Sequence, residues 1–413
     1  MTTNEHFVIV GAGHAGGAAV QSLRGFGHEG PITLIGEEPS LPYERPPLSK
    51  ELLQTPGGEG FRLMRDQDYY DEMDVNLHLN NAATTIDADA RTITLADGAT
   101  VSYDKLLLTT GGQVRTLDVP GSDLAGIHVL RTIEDSRAIE AALATGGKVA
   151  VVGGGFIGLE VAASARARGS EVTVIEAMPQ LMGRSLPDDI SAMFLDLHRA
   201  NGVEVKLGDG VTSFVGTDKV SGVETAAGET IDGDAVVVGI GISPETSLAE
   251  SAGLEIDNGI VVDEFARTSD PNIFAAGDNT NHFNPRLGRR IRLEAWLNAQ
   301  DQALAAARSM RGDLKPYDKV PWMWTDQFDV NLQMAGMPTE WGELVYRGDL
   351  GDRDCCAFQL KDGKVEAALT INRPRDMRVA RRMISSDAVF SEAELADDDL
   401  SLRKILKAAK SQE

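Results

Sequence analysis

The chain has 413 residues, more than one hydrophobic core normally organises, so its length predicts two or three domains. Its formal net charge is −24, from 39 basic and 63 acidic side chains, and such a surface repels nucleic acid and anionic membranes. No apolar run approaches the roughly 18–20 residues of a membrane helix, and the N-terminus does not read as a signal peptide. The two cysteines, Cys355 and Cys356, are neighbours, which excludes a disulfide framework and favours a cytoplasmic location.

The first motif is a glycine turn after a short apolar strand. The strand is predicted at Phe7–Val10, Gly11, Gly13 and Gly16 follow it, and Glu37 comes 21 residues after Gly16. In such a motif the first glycine makes the turn, the second lets backbone approach a pyrophosphate, and the third allows close helix packing. The helix N-terminus binds the phosphates, and the carboxylate binds the ribose hydroxyls. This segment predicts a dinucleotide site.

A second segment repeats the pattern. Gly153, Gly155 and Gly158 follow an apolar strand and open a small-residue helix, and Glu176 comes 18 residues after Gly158. Two such motifs in one chain predict two bound dinucleotides rather than two structural turns. A glutamate repels a 2′-phosphate, and the residues directly after Glu176 include no Arg or Lys, although Arg184 is near enough to curl back. The second site is therefore expected to prefer NADH to NADPH.

Downstream segments indicate which dinucleotide binds where. A strand near residues 269–276 ends in Gly277-Asp278. A carboxylate at such a strand end suits the ribityl chain of a flavin, provided the chain returns to the first glycine unit; the alternative is a turn and helix cap. Together with the two glycine motifs, this predicts FAD at the first unit.

Turn signals predict further strands, and a change in residue composition predicts a last domain. Hairpin patterns predict strands at Val101–Leu108 and Ala235–Ile242. Past residue 320, three of the four tryptophans cluster, alternating segments follow, and a charged helix is predicted at Leu400–Lys410. This region is expected to be a separate α+β domain.

Several short elements carry a resemblance to a known family. They are Val8–Gly16, Arg45–Lys50, Leu130–Asp135, Gly153–Glu160, Gly277-Asp278, Trp322–Gln327 and Asn372–Pro374. With them, nearly all of the chain resembles the NADH-dependent, FAD-containing ferredoxin reductases of bacterial oxygenase systems. The resemblance implies an α/β fold with two Rossmann-like dinucleotide-binding domains in a glutathione-reductase-like architecture, plus the C-terminal α+β domain. The implied boundaries are 1–113 with 243–320 for FAD, 114–242 for NAD, and 321–413 for the C-terminal domain.

The resemblance also implies roles for individual residues. Besides the glycines above, the implied cofactor contacts are His14, Ala15, Glu37, Arg45, Lys50, Ala83, Arg131, Phe156, Ile157, Glu176, Arg184, Gly241, Asp278, Glu294 and Trp296. Lys50, Glu160 and Trp324 are the implied catalytic residues, with Glu160 by the nicotinamide and Trp324 near the flavin. The plainer alternatives are a surface cation for Lys50, a helix-start carboxylate for Glu160 and a core aromatic for Trp324. No metal site is expected.

The segment after the first unit narrows the chemistry. Residues 41–53, where disulfide oxidoreductases of this architecture carry a reactive cysteine pair, contain no cysteine. Thiol–disulfide exchange needs a thiolate, so that chemistry is excluded. The expected cycle is hydride transfer from NADH to FAD, followed by release of single electrons to a [2Fe–2S] ferredoxin.

An acidic ferredoxin needs a basic docking patch. From residue 320 onward there are 13 basic and 17 acidic residues, so the C-terminal domain is the least repulsive surface. One candidate patch is Arg373, Arg375, Arg378, Arg381 and Arg382, close to Trp324; the other is Arg286, Arg289, Arg290 and Arg292. The alternative is that both runs form internal ion pairs.

Two other functions stay open. One is a reductase of rubredoxin or of a small quinone-like acceptor. The other is a redox-gated NADH-binding scaffold resembling apoptosis-inducing factor, for which an N-terminal anchor or targeting segment is expected and is not seen in the sequence.

Overall fold

The computed structural model describes residues 4–57, 61–144 and 146–411. The strands are β1 (Phe7–Val10), β2 (Ile32–Ile35), β3 (Val75–His78), β4 (Ala83–Asp87), β5 (Thr92–Leu95), β6 (Thr100–Ser102), β7 (Lys105–Leu108), β8 (Gly112–Val114), β9 (Ile127–His128), β10 (Lys148–Val152), β11 (Glu171–Glu176), β12 (Val203–Leu207), β13 (Val211–Gly216), β14 (Val220–Thr225), β15 (Thr230–Asp232), β16 (Ala235–Val238), β17 (Ile242–Pro244), β18 (Ile260–Val262), β19 (Ile273–Ala275), β20 (Thr280–Asn284), β21 (Arg289–Ile291), β22 (Trp322–Gln327), β23 (Val330–Ala335), β24 (Leu344–Asp349), β25 (Asp354–Lys361) and β26 (Lys364–Ile371). The helices are α1 (His14–Gly25), α2 (Glu51–Gln54), α3 (Gln67–Glu72), α4 (Ile133–Leu143), α5 (Phe156–Ala167), α6 (Asp188–Ala200), α7 (Ser247–Ser251), α8 (Trp296–Met310), α9 (Pro374–Ile384), α10 (Glu392–Ala396) and α11 (Leu402–Lys410), with a 3-10 turn at Pro46–Ser49.

These elements group into two compact units. Unit 1 comprises Met1–Arg45, Arg62–Gln113 and Ile242–Pro321, and unit 2 comprises Pro46–Phe61, Val114–Gly241 and Trp322–Glu413. Each unit is therefore assembled from three separate stretches of chain.

The central sheet of unit 1 is parallel, in the order β19-β7-β1-β2-β3. Strands β1 and β2 are buried along their whole length. One face of β1 packs with α1 and α8, and the other packs with residues of β4, β5 and α7. Alanine and glycine residues along α1 let it pack closely against α8. Since β19 pairs with β7, the chain returns to the first unit as expected from the sequence.

The central sheet of unit 2 has the corresponding order, β12-β11-β10-β16-β9, and is also parallel. In both sheets the strand before the glycine motif lies in the middle, between the next strand and a later one. The two Rossmann-like halves predicted from the internal repeat are thus confirmed.

The last part of unit 2 is the predicted α+β region. Its sheet is antiparallel, in the order β22-β23-β26-β25-β24, and helices α9, α10 and α11 accompany it. The buried Arg347 of β24 donates to backbone oxygens between Leu395 and Leu400, among them that of Asp398 at 3.1 Å. Arg373 pairs with the carboxylates of Asp354 (2.8 Å) and Asp398 (2.7 Å). These two arginines fix the turn before α11.

Three predicted element bounds are wrong. The strand expected at Val101–Leu108 is two strands in two sheets, because the chain changes sheets at Tyr103-Asp104, where the Asp104 carboxylate accepts the His6 N–H at 2.7 Å. The strand expected at Ala235–Ile242 ends at Val238, before Gly241 takes a φ of +104°. Helix α11 starts at Leu402 rather than Leu400, since the arginines above hold the preceding turn.

Candidate functional site: two dinucleotide cradles and a buried carboxylate

The first glycine loop joins β1 to α1 within unit 1. Gly11 has a φ of +109°, and a Cβ there would lie 2.2 Å from the Thr109 carbonyl oxygen. A Cβ at Gly16 would lie 2.0 Å from the Gly11 carbonyl oxygen. The protein's own packing therefore requires both glycines. At Gly13 a Cβ would meet nothing closer than the Arg45 Nη2 atom at 3.7 Å, so the backbone there is open to a ligand.

The second glycine loop, in unit 2, has the same design. A Cβ would lie 2.5 Å from the Gly239 carbonyl oxygen at Gly153 and 2.1 Å from the Gly153 carbonyl oxygen at Gly158. At Gly155 the nearest atom would be 4.0 Å away. Each loop thus keeps its middle glycine clear at the start of a helix, where free N–H groups bind phosphate. Both loops fit the pyrophosphate of a dinucleotide.

The two carboxylates after the second strands are placed differently. The Glu176 carboxylate accepts the N–H groups of Gly154 at 2.6 Å and Met178 at 2.7 Å, so it is fixed beside the second glycine loop. Glu37 is exposed and lies two residues beyond the end of β2. Arg184 is exposed, in a turn held by the Met182 N–H on the Gly154 carbonyl oxygen at 2.9 Å.

A charged cluster lies beside the first glycine loop. Of its residues, the sequence predicted only Arg45. The Arg45 guanidinium pairs with Glu38 at 2.7 Å, and the Tyr43 hydroxyl donates to the same carboxylate at 2.5 Å. The Arg45 guanidinium also lies over the Tyr43 ring, 5.3 Å from its centroid. Glu38 and Tyr43 fix the direction of Arg45, which lies near Gly13. The adjoining Glu37-Glu38 pair was the available signal for Glu38.

Gly277 brings Asp278 to the start of α1. Gly277 has a φ of +97°, and a Cβ there would lie 3.4 Å from the Ala15 Cβ. Its N–H donates to the Gln302 side chain at 2.8 Å, a contact that sequence reasoning missed. The structure therefore brings Ala15 and Asp278 together with the first glycine loop.

Two aromatic rings lie at the same end of unit 1. The rings of His14 and Trp296 have centroids 4.7 Å apart. Burial lowers the pKa of His14 from 6.5 to about 4, so its ring is neutral at physiological pH.

Glu294 pairs with Arg292, and Ala83 is half-buried opposite Leu95 on the neighbouring strand.

In unit 2, Glu160 is a buried carboxylate with three side-chain partners. Its exposed fraction is 4%. Lys50 Nζ lies 2.9 Å from Oε1, the Thr325 hydroxyl donates to Oε1 at 2.6 Å, and the Ser49 hydroxyl donates to Oε2 at 2.5 Å. A buried carboxylate is tolerated only when it is paired and hydrogen-bonded, as here. The structure brings the predicted residues Lys50 and Glu160 together, while Ser49 and Thr325 were missed.

Hydrogen bonds hold the segment that carries Lys50. The Ser164 hydroxyl donates to the Ser49 carbonyl oxygen at 2.7 Å, and the Ser136 hydroxyl donates to the Leu48 carbonyl oxygen at 2.7 Å. Glu160 and Ser164 are four residues apart on α5 and therefore face the same way. Helix α5 therefore holds Ser49 at two points, its hydroxyl through Glu160 and its carbonyl oxygen through Ser164. This places the neighbouring Lys50 beside Glu160.

The other predicted residues of unit 2 occupy the edges of the second loop and α4. Ile157 is 47% exposed and Phe156 is half-buried against apolar neighbours. Gly241 has a φ of +104° with open space at its Cα. The Arg131 N–H donates to Asp135 at 2.9 Å, beside the capping box of Thr132 and Asp135 that starts α4.

Trp324 lies on the opposite side of β22 from Thr325. Its ring stacks on Trp322 with centroids 5.2 Å apart, and its Nε1–H donates to Asp326 at 3.1 Å. Helix α9 lies by these rings, since the Arg381 guanidinium sits over Trp322. Arg373 is held in the ion pairs described above, so the alternative of internal ion pairing is right for that residue. The exposed arginines of the helix are Arg375, Arg378 and Arg382.

The two cysteines are buried in β25. Burial raises the pKa of the Cys355 thiol to about 11 and holds the pKa of the Cys356 thiol well above its ordinary value. Neither is a thiolate at neutral pH.

Over residues 4–57, 61–144 and 146–411, no cluster of three or more His, Cys, Asp or Glu side chains has metal-site geometry. In that part of the chain no helix is long and apolar enough to cross a membrane.

Comparisons with known proteins agree with this geometry. The family model for pyridine nucleotide-disulphide oxidoreductases matches residues 5–303, and the reductase C-terminal model matches residues 322–406. The ferredoxin–NAD(+) reductase component of the anthranilate 1,2-dioxygenase system of Burkholderia cepacia is 42% identical over 404 residues, covering 97% of this chain and 99% of the relative. Rhodocoxin reductase of Rhodococcus erythropolis is 40% identical over 397 residues, covering 96% of this chain and 93% of the relative. The crystal structure of the covalent putidaredoxin reductase–putidaredoxin complex matches with a TM-score of 0.95 at 34% identity, covering 99% of this chain and 100% of that chain.

The matched family and the two open glycine cradles together confirm the predicted cofactors, FAD and NAD(H), and an oxidoreductase activity. The sequence resemblance to ferredoxin reductases is also confirmed. The chain belongs to the pyridine nucleotide-disulphide oxidoreductase family.

Proposed function

We propose that the chain is an NADH:ferredoxin oxidoreductase that supplies electrons, through FAD, to a [2Fe–2S] ferredoxin serving a monooxygenase or dioxygenase. The observation that carries this proposal is the pair of glycine cradles, each with its middle glycine kept clear. The relatives, a reductase component of a dioxygenase system and rhodocoxin reductase, support the acceptor class. The absence of cysteine from residues 41–53 argues against a disulfide acceptor.

Each of the two predicted nucleotide-binding domains is assigned one dinucleotide. Residues 1–113 and 243–320 are proposed to hold FAD, with the start of α1 at the pyrophosphate and Glu37, Arg45 and Asp278 at the sugar and phosphate groups. Residues 114–242 are proposed to hold NADH, and 321–413 form the C-terminal domain. FAD held there would supply the redox chemistry, namely two-electron oxidation of NADH and one-electron transfer to the acceptor.

Three residues of unit 2 are proposed to act at the reacting rings. Glu160 Oε1 forms an ion pair with Lys50 Nζ at 2.9 Å, which fixes the lysine side chain in a largely buried position. Lys50 is proposed to favour electron transfer to the flavin by its positive charge, Glu160 to orient the nicotinamide, and Trp324 to cover the flavin. Orientation of the reacting atoms is the main contribution asked of the protein.

The nicotinamide site is proposed to prefer NADH. Both Glu176 carboxylate oxygens accept backbone N–H groups, so the carboxylate cannot swing away from a ribose bound at the second loop. A 2′-phosphate placed there would meet a fixed negative charge.

The electron acceptor is proposed to be an acidic ferredoxin. It is proposed to dock on α9, near Trp324 of β22. Arg375, Arg378 and Arg382 are exposed on that helix in a chain of net charge −24. Clustered positive charge speeds the encounter with an acidic partner. Such a system is expected in the cytoplasm.

One experiment on the purified holoenzyme tests the proposal. We expect a yellow protein whose flavin absorbance is bleached by NADH faster than by NADPH, and which then reduces a [2Fe–2S] ferredoxin rapidly. A panel with rubredoxin and a small quinone separates the acceptor classes. A colourless protein, or a flavoprotein that reduces a quinone and leaves every ferredoxin oxidised, would contradict the proposal.

A further inference from the structure

The strand that carries Trp324 has a second, buried side. Thr325 and Gln327 are two residues apart on β22, so they share one face of the strand, and both are fully buried. Trp324 and Asp326 share the other face and are partly exposed. One short strand thus carries an aromatic face and a separate polar face that reaches Glu160 on α5.

The hydrogen bonds on the buried face have one direction. The Thr325 hydroxyl donates to Glu160 Oε1 at 2.6 Å. Having one hydrogen, that hydroxyl accepts from Gln327 Nε2 at 3.1 Å. The carbonyl end of Gln327 therefore faces His198 Nε2 at 2.9 Å, and His198 Nε2 carries the hydrogen. The hydrogen bond to Glu160 thus sets the orientation of the Thr325 hydroxyl, the Gln327 amide and the His198 tautomer together.

This series of hydrogen bonds, from Glu160 through Thr325 and Gln327, ends at His198. His198 is fully buried on α6, and its Nδ1 atom has no hydrogen-bond partner among the described residues. Burial lowers the pKa of His198, in keeping with a neutral ring. At His198, therefore, the described residues give this series of hydrogen bonds no outlet to solvent. This favours a role in orienting groups.

We propose that Thr325, Gln327 and His198 are positioning residues that hold the Glu160 carboxylate in the orientation that hydride transfer requires. The four groups come from α5, β22 and α6, so the carboxylate is fixed by three elements at once. The inference rests on the role proposed above for Glu160.

The test compares matched threonine variants of the FAD-loaded protein. Thr325→Val removes the hydroxyl at nearly constant volume and slows flavin reduction by NADH by about tenfold or more, while Thr325→Ser restores it to within about twofold. The control is Thr370→Val, since the Thr370 hydroxyl is also fully buried in this sheet but has no hydrogen-bond partner in the described chain. Equal rates for Thr325→Val and Thr370→Val at equal thermal stability would overturn the proposal.

A second readout is independent of turnover. Nitrogen-15 NMR of the histidine rings, with His198 assigned through His198→Gln, is expected to show a protonated Nε2 and a bare Nδ1 across neutral pH. An imidazolium or the opposite tautomer would overturn the hydrogen-bond direction.

A further variant separates this inference from the proposed function. If Glu160→Gln leaves flavin reduction unchanged, Glu160 has no role in hydride transfer and the proposal that depends on it is wrong as well. If Glu160→Gln slows flavin reduction and Thr325→Val does not, only the positioning role proposed for Thr325, Gln327 and His198 is wrong.

Discussion

The Arg381 guanidinium lies 5.4 Å from the centroid of the Trp322 ring, and that ring stacks on Trp324. The contact joins α9 to β22 inside unit 2. Positive charge on α9 therefore lies close to Trp324, the tryptophan proposed to cover the flavin. This neighbourhood makes α9 the better of the two arginine-rich candidates for docking.

Charge reversal at Arg378 tests the docking surface. Arg378→Glu is expected to slow ferredoxin reduction several-fold at low ionic strength, because an acidic partner loses part of its attraction. Added salt should narrow the difference by screening. Reduction of ferricyanide, a small acceptor, should keep its rate. Arg91→Glu is the control, an equal charge change at an exposed arginine of unit 1. Equal ferredoxin rates for both variants would place docking elsewhere.

The two glycine types in the second loop are expected to respond differently to alanine. Gly155→Ala places a methyl group in open space at an ordinary φ of −83°, so the folded protein should keep its melting temperature. The same methyl group stands where the pyrophosphate approaches, and KM for NADH should rise by roughly tenfold or more, equivalent to 1.4 kcal/mol of binding. Steady-state kinetics and calorimetry measure the two effects.

The paired substitution, Gly158→Ala, should behave in the opposite way. Its Cβ would lie 2.1 Å from the Gly153 carbonyl oxygen, so the loop must deform and the melting temperature should fall. A stable Gly158→Ala protein would show that the loop is looser than its geometry indicates.

Glu176 should control the choice of nicotinamide. Glu176→Ala removes the carboxylate that accepts the Gly154 and Met178 N–H groups. We expect kcat/KM for NADH to fall by about tenfold and the NADH-to-NADPH ratio to shrink, since the charge facing a 2′-phosphate is lost. An unchanged ratio would place the discrimination at another residue.

A buried histidine should make stability fall in acid. Burial, with Arg290 adding repulsion, lowers the pKa of His282 from 6.5 to about 4. Between these values the unfolded chain binds a proton that the folded chain does not, so the free energy of unfolding falls as pH falls from 6.5 to 4, by about 3 kcal/mol. His282→Phe keeps an aromatic ring against Tyr317 and should flatten this slope in denaturant titrations. A slope equal to the parent's would exclude His282 as its source.

The sequence predicted what depends on local pattern. The strand Phe7–Val10, the glycines of both loops and the order of elements in each half follow from spacing that physical chemistry restricts tightly. The return of the chain at Gly277-Asp278 was predictable only through its chemistry, and the pairing of β19 with β7 confirms it.

The unpredicted residues depend on contacts between distant segments. Ser49, Thr325 and Gln327 are ordinary polar residues in sequence, and their role appears only when α5, β22 and α6 are packed together. Tyr103-Asp104 likewise gives no local sign of a change of sheet, since it is the distant His6 that fixes it. Tertiary contacts of this kind leave no period or motif in the chain.

The interleaving of the two units sets an order of events during synthesis. Strand β7 is made long before β19, its neighbour in the central sheet of unit 1, and the whole of β10–β16 lies between them in the chain. Domains fold as units while the chain emerges from the ribosome. The first glycine loop, although it is translated first, must therefore wait with an incomplete sheet edge until residues 273–275 appear. All five strands of the central sheet in unit 2 are therefore translated before the central sheet of unit 1 has its last strand.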